Sequence, residues 1–171
     1  MLPVTEGSTT SRVADEVSNA GNQSLFSGVN SSGVLYAEIA AFSNDNGETR
    51  MISLSDGTND NRIHLFYFSQ SNDIAVNYRV NGSTVVTFIA SLTDITNYSK
   101  VAFRWESGDF KMYVDGNLID SDTNTTMLPA DTFDTLSLSR GDGGVSEFYG
   151  KTRAVGVFDY LSDDEMETLT T

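Results

Sequence analysis

Cysteine is absent from this chain, and histidine and tryptophan occur once each in its 171 residues. Without cysteine there is no disulfide framework, no thiolate nucleophile and no zinc–thiolate centre. Only two prolines interrupt the backbone, which leaves long stretches free to pair as strands. Basic residues are scarce. Ten Lys and Arg face 24 Asp and Glu, for a net charge of −14, and a surface that acidic repels nucleic acid and anionic lipid. No apolar run reaches the roughly 18 residues of a membrane span, so no membrane insertion is expected. Residues 1–10 have neither a basic leader nor an apolar stretch, so no secretory signal is expected. The expectation is a chain cut from a larger protein, or one that reaches the outside without a signal peptide.

What is present points to a folded all-β domain. Hydrophobic residues make up 39% of the chain and aromatics 11%, enough for a sizeable core, and 14 glycines suit many turns. The polar, Ser/Thr-rich residues 1–11 are expected to be a flexible lead-in, and 12–171 a single domain. Residues 101–119 organise the rest. Val101, Phe103 and Trp105 alternate with Ala102, Arg104 and Glu106, Phe110–Val114 is a second alternating run, and Asp115-Gly116 supplies a tight hairpin turn before Asn117. Further strands are expected at Val34–Phe42, Met51–Ser55, Arg62–Ser69, Ile74–Val80, Val85–Ser91, Phe133–Ser139, Glu147–Gly150 and Thr152–Tyr160, with a short edge strand at Arg12–Asp15. Asn81-Gly82 is another hairpin turn. Ser18–Ser24 is expected to be loop, with Leu25-Phe26 as an apolar plug beneath it, and Asp120–Asp131 a long polar connection. Ser162-Asp163-Asp164-Glu165 is a capping box opening a C-terminal helix, with Leu161 and Met166 at the staple positions.

Two resemblances follow from these motifs. Phe110-Lys111-Met112-Tyr113-Val114-Asp115-Gly116 and the closing strand with its terminal helix resemble the laminin-G-like branch of the concanavalin A-like lectin/glucanase superfamily, from about Gly33 to Leu169. That resemblance implies an antiparallel two-sheet jelly-roll sandwich with a short C-terminal helix. More narrowly, Thr10-Ser11-Arg12-Val13-Ala14-Asp15, Asn19-Ala20-Gly21 and Gly33–Ala41 resemble domains near the ends of bacteriophage tail fibres and related virion proteins. That implies a virion adhesion module, often trimeric, facing the outside of the particle.

Catalysis is disfavoured residue by residue. The superfamily's glucanases carry a Glu-x-Asp-x-Glu strand that sets two acids on one face. Here Glu38 is followed by Ala40 and Phe42, and Asp120 and Asp122 lie in the polar connection. His64 is the only histidine and lacks the neighbours of a polysaccharide lyase, and no Gly-x-Ser-x-Gly elbow exists. The chain is therefore expected not to be an enzyme. Arg140-Gly141-Asp142 is expected to be ordinary loop chemistry. Asp45, Glu48, Asp56 and Asp60 stand in oxygen-rich turns and are weak candidates for calcium, without the spacing of an EF-hand loop; no other cofactor is expected.

Sugar recognition remains. Lectin sites combine an aromatic face with fixed amides, guanidinium groups and carboxylates. His64, Asn77, Arg79 and Arg104 are polar residues within strands, and Tyr67, Tyr78 and Trp105 are the aromatics nearest to them; His64, Tyr67, Asn77, Arg79, Arg104 and Trp105 are taken as the candidate ligand-binding set. Cations placed in strands of so acidic a chain suit an acidic glycan. The expected partner is a bacterial cell-surface polysaccharide, and the alternative is a structural virion domain that binds no sugar.

Overall fold

The computed structural model describes residues 20–26, 29, 31–44, 50–68, 72–143 and 146–171. The expected lead-in at 1–11 and edge strand at Arg12–Asp15 lie outside these residues. The elements in order are α1 (Gln23–Phe26), β1 (Ser32–Ala41), β2 (Arg50–Ser55), β3 (Arg62–Tyr67), β4 (Asp73–Val80), β5 (Ser83–Ser91), β6 (Ser99–Glu106), β7 (Phe110–Val114), β8 (Asn117–Asp122), β9 (Thr135–Ser137), β10 (Gly150–Phe158) and α2 (Asp163–Thr170). They form two five-stranded antiparallel sheets. Sheet A has the order β5-β4-β3-β2-β9, and sheet B the order β10-β1-β6-β7-β8. This is the antiparallel jelly-roll sandwich with a C-terminal helix that the sequence implies.

The two-residue period decides which side chains meet between the sheets. Leu35, Ala37, Ile39, Val101, Phe103, Trp105, Phe110 and Met112 point in from sheet B. Ile52, Leu54, Ile63, Leu65, Tyr67, Val76, Tyr78 and Phe88 point in from sheet A. Aromatic rings fill the gap, with Phe103 stacked on Trp105 at 6.4 Å and Trp105 edge-on to Phe133 at 5.8 Å. The polar ends of these rings are paired: Trp105 Nε1 donates to Val29 O at 3.0 Å, and Tyr78 OH accepts from Leu128 N at 2.8 Å. Both hairpin turns form with left-handed backbone at both residues, at Asn81 (φ 50°)-Gly82 (φ 78°) and Asp115 (φ 48°)-Gly116 (φ 76°).

Several boundaries differ from expectation. The Phe133–Ser139 stretch is extended only over Thr135–Ser137, and Glu147–Tyr149 is not a strand. Asp120–Asp122 belongs to β8 and not to the following connection. Leu25 and Phe26 sit on α1, and they divide: Phe26 is buried while Leu25 is 69% exposed, so only one of the two is a plug.

The outer face of sheet B is closed by α2. The capping box forms as the sequence implies, with Ser162 N donating to Glu165 Oε2 at 2.8 Å. Met166 packs with Val34, Tyr36, Ala102 and Tyr113, and Leu161 and Leu169 pack against them. Arg104, fully buried beneath the helix, ties it down. Its guanidinium meets the Asp109 and Asp163 carboxylates, donates to Leu161 O at 2.8 Å and lies 5.1 Å from the Tyr160 ring centroid. Lys111 Nζ reaches Asp163 at 2.6 Å, and that hydrogen bond, followed by those from Arg104, holds the Asp163 carboxyl below its ordinary range. Arg104→Ala should lower the unfolding free energy by about 2–4 kcal/mol, measured by denaturant melts. The loss is smaller than for a fully enclosed pair because Asp109 and Asp163 side chains stay 35% and 49% exposed. A carboxyl held low in the fold contributes stability above its unfolded pKa of about 3.9 that fades as pH falls through the folded value. The gap between Arg104→Ala and the parent should therefore narrow below about pH 4.

Candidate functional site

The outward residues of sheet A form three rows running across the strands. Ser55, Arg62, Arg79 and Thr84 are successive partners on β2, β3, β4 and β5. Beside them run Ser53, His64, Asn77 and Thr87, and then Met51, Phe66, Ala75 and Ile89. One end of the face is cationic, the middle is a polar band and the other end is apolar. Rings continue the apolar end along β3, with Phe66 5.0 Å from both His64 and Phe68.

The cationic end is unusual. Arg62 and Arg79 stand directly opposite one another on adjacent strands, an arrangement of like charges that costs free energy unless an anion intervenes. Arg62 Nη1 donates to Arg140 O at 3.0 Å and Arg79 Nη2 to Gly82 O at 2.6 Å, which fixes both groups without neutralising them. Burial, with Arg79 adding to it, lowers Arg62 to about 10, still well above neutral pH. Burial and then the two arginines push His64 down to about 3, so its imidazole is neutral. The Asn77 amide donates to His64 Nε2 at 3.3 Å, which leaves the ring proton on Nδ1.

Four polar atoms of this cluster are buried with no partner: Arg62 Nε, His64 Nδ1, Arg79 Nε and Asn77 Oδ1. Buried polar atoms are ordinarily satisfied, and an orphan costs about 1–3 kcal/mol. Three donors and one acceptor with two fixed positive charges match a carboxylate that has a hydroxyl or amide beside it.

A loop walls this site. Ser53 Oγ donates to Ser139 O at 2.8 Å, and Arg140 Nε meets both Asp142 carboxylate oxygens at 2.9 Å. Gly141 has φ +81°, and a Cβ there would overlap Ser53 Oγ and lie 2.9 Å from Ser55 Oγ. The Arg-Gly-Asp tripeptide is thus spent inside the fold.

The residues expected to form one site divide into three groups. His64, Asn77 and Arg79 do share the outer face of sheet A. Tyr67, Tyr78 and Trp105 are fully buried between the sheets and offer no ring to a sugar. Arg104 lies on the outer face of the other sheet, beneath α2. The sequence expectation passed over Arg62, Ser53 and Phe66. Arg62 is two residues before His64 and so shares its face, a clue present in the alternation. Among the calcium candidates, Asp45 and Glu48 lie outside the described residues. Both Asp56 carboxylate oxygens are taken, by Thr58 and by Asn61, and Asp60 stands in the same turn. No group of three His, Asp or Glu side chains that could hold a metal ion occurs among the described residues.

An antiparallel jelly roll is an architecture that lectin domains share with proteins of other function. A laminin G-type family model, described as the concanavalin A-like lectin/glucanases superfamily, matches residues 35–165, and the chain belongs to that superfamily. No curated protein matches it in sequence. Among solved structures it is similar to the CBM40 of Ruminococcus gnavus IT-sialidase bound to α2,3-sialyllactose, with a TM-score of 0.69 at 19% identity over 91% of this chain and 95% of that one. A leech intramolecular trans-sialidase complexed with 2,7-anhydro-Neu5Ac aligns with a TM-score of 0.68 at 16% identity, covering 91% of this chain and 27% of the enzyme. A structure of botulinum neurotoxin type C, concerned with its interaction with two ganglioside molecules, gives 0.63 at 14% identity over 87% of this chain and 37% of that one. At such identities these likenesses concern the fold.

The neutral state of His64 is directly measurable. Its imidazole NMR signals should not move between pH 5 and 8 and should titrate only near 3. A histidine held low in the fold makes the unfolded chain the better proton acceptor between about pH 3 and 6.5, so stability should decline as pH falls through that window.

Proposed function

We propose that this domain is a non-catalytic carbohydrate-recognition module that binds an acidic glycan on the outer face of sheet A. The observation that carries the proposal is the unpaired polar set around two guanidinium groups that have no salt-bridge partner among the described residues. The half-buried Arg79 takes the sugar carboxylate and the half-buried Asn77 a neighbouring hydroxyl or amide, with Arg62 and His64, only 4% and 3% exposed, behind them, and the exposed Ile89 receives an apolar ring face or substituent. The similar structures bound to sialyllactose and to 2,7-anhydro-Neu5Ac, and the one concerned with ganglioside interaction, support a carboxylated sugar as ligand.

Binding of this kind needs no metal, and EDTA should leave it unchanged. The setting we attach to it is an adhesin of a bacteriophage tail fibre or related virion protein, with a host-surface polysaccharide as partner. That setting is supported by the resemblance of Thr10–Asp15, Asn19–Gly21 and Gly33–Ala41. If several copies share one fibre, weak single sites would add by avidity.

Titration calorimetry against sialyllactose, a uronic-acid oligosaccharide and lactose tests the proposal. A carboxylated glycan should bind and lactose should not. Arg79→Ala should weaken binding by about 1.5–3 kcal/mol, or roughly 10- to 150-fold, and Asn77→Ala by less. Rising salt should weaken it too. Equal binding of charged and neutral glycans, or undiminished binding by Arg79→Ala, would sink the proposal.

A further inference from the structure

The open part of sheet A is a strip and not a whole face. Every residue of β2 and β3 is buried, while β5 exposes Thr84, Thr87, Ile89 and Ser91 in turn. Those four stand opposite Arg79, Asn77, Ala75 and Asp73 of β4. A ligand that begins at Arg79 therefore continues along β5 towards Ser91. From Thr84 to Ser91 the strand runs about 20 Å.

Beyond Ser91 the strip ends in a cavity. It measures about 390 Å³ and lies at the rim of the sandwich, between the segment that follows β5 and the turn from β7 to β8. That is room enough for a small ligand. Both walls are fixed. On one side Leu92 N donates to Asn72 O and Ala41 N to Ile95 O, each at 2.7 Å, and Asp94 Oδ1 accepts from Thr96 N at 2.8 Å. On the other, Asp115 Oδ1 accepts from Lys100 N and Asn117 Nδ2 donates to Asp115 O, each at 2.8 Å. These bonds use one oxygen of each carboxylate and leave the second. The Asn97 amide and the Thr93 hydroxyl, both on exposed residues, meet no partner among the described residues.

The groups in the cavity define what enters it. Its described lining holds two carboxylates and no lysine, arginine or histidine, so it repels an acidic sugar. Carboxylate and amide groups beside the hydrocarbon of Leu92, Val114 and Ile119 suit a neutral sugar. Its hydroxyls meet the polar groups and its C–H faces cover the apolar ones. Tyr98 also lines the cavity, with its ring held by the Arg153 guanidinium 3.8 Å from the centroid.

We infer that the domain reads an extended glycan, with its carboxylated sugar at Arg79, its chain along β5 and a neutral sugar seated in the cavity between Asp94 and Asn117. The inference rests on the acidic-glycan reading of sheet A and adds a length and a direction to it. A neutral sugar alone binds the cavity weakly. Joined to an acidic sugar already held at Arg79, it gains effective concentration. The two ends of the strip carry opposite charge, so a reversed chain would set its carboxylate against Asp94 and Asp115.

Titration of the full chain with sialyllactose and with α2,3-sialylated poly-N-acetyllactosamine of rising length tests this. Affinity should rise about tenfold or more once the glycan spans the strip, and then level off. Asn97→Ala and Thr93→Val remove side chains that bond nothing in the fold, and each should cut the ratio of long-chain to short-chain affinity towards one. The Asn97 and Asn117 side-chain amide NMR signals should shift with the long glycan and stay still with sialyllactose. Millimolar poly-N-acetyllactosamine without sialic acid should shift the same two signals and leave the Arg79 Nε–H signal in place. Affinity independent of length, a length gain that survives both substitutions, or Asn97 and Asn117 signals unmoved by the unsialylated chain would overturn the inference. Failure of the acidic-glycan reading looks different: sialyllactose then does not bind, or binds Arg79→Ala as well as the parent, while the unsialylated chain still moves Asn97 and Asn117.

Discussion

Everything in this structure depends on two sheets hiding one face each from water. The apolar residues of β1, β6 and β7 and those of β2 to β5 fill a single layer, and their alternation forces the intervening residues outward. Those outward residues then meet different fates. On sheet B a helix covers them, and the buried cation Arg104 finds two carboxylates, a carbonyl oxygen and an aromatic ring. On sheet A no described helix lies across them, although the outward residues of β2 and β3 are buried, and among the described residues no acid lies within salt-bridge reach of Arg62 or Arg79.

That contrast separates an arginine answered by its own fold from two that are proposed to bind. Arg104 is more deeply buried than Arg79, yet its charge is answered by its own fold. Arg62 and Arg79 oppose each other across two strands, each anchored by a carbonyl oxygen that holds the group in place without cancelling its charge. Between them and the apolar end sits a histidine kept neutral by burial and by those same cations. The face therefore reads as charge, then hydrogen-bonding groups, then hydrocarbon, an order that suits a carboxylated sugar lying along β4.

Much of the architecture was legible in the sequence because local chemistry dictates it. Asp115-Gly116 and Asn81-Gly82 are among the few dipeptides that accept two left-handed residues in succession, and both make hairpins. Ser162 and Glu165 cap their helix through bonds that need no tertiary context. The loop-like stretches of 123–134 and 146–149 were harder, since apolar residues such as Phe133 and Phe148 enter the core without a ladder to belong to. The site was half legible. Alternation puts His64, Asn77 and Arg79 on outward positions, but the register that sets Arg62 against Arg79 arises between strands and leaves no mark in either. Arg104 misleads for a related reason: both faces of β6 are buried, one by the core and one by α2, so alternation along β6 cannot tell ligand-facing from helix-facing. Trp105 and Tyr67 look like sugar-stacking rings by composition and are core residues by parity.

The central claim is that the Arg62 and Arg79 guanidinium groups hold unspent donors that a glycan carboxylate fills. Arginine Nε–H signals in an NMR titration with sialyllactose report this directly, because Arg104, whose Nε is likewise unpartnered but lies beneath α2, serves as an internal reference. The account predicts that the Arg62 and Arg79 signals shift saturably while that of Arg104 stays still, and that lactose moves none of them. Unmoved Arg62 and Arg79 signals alongside demonstrable sialyllactose binding would contradict it.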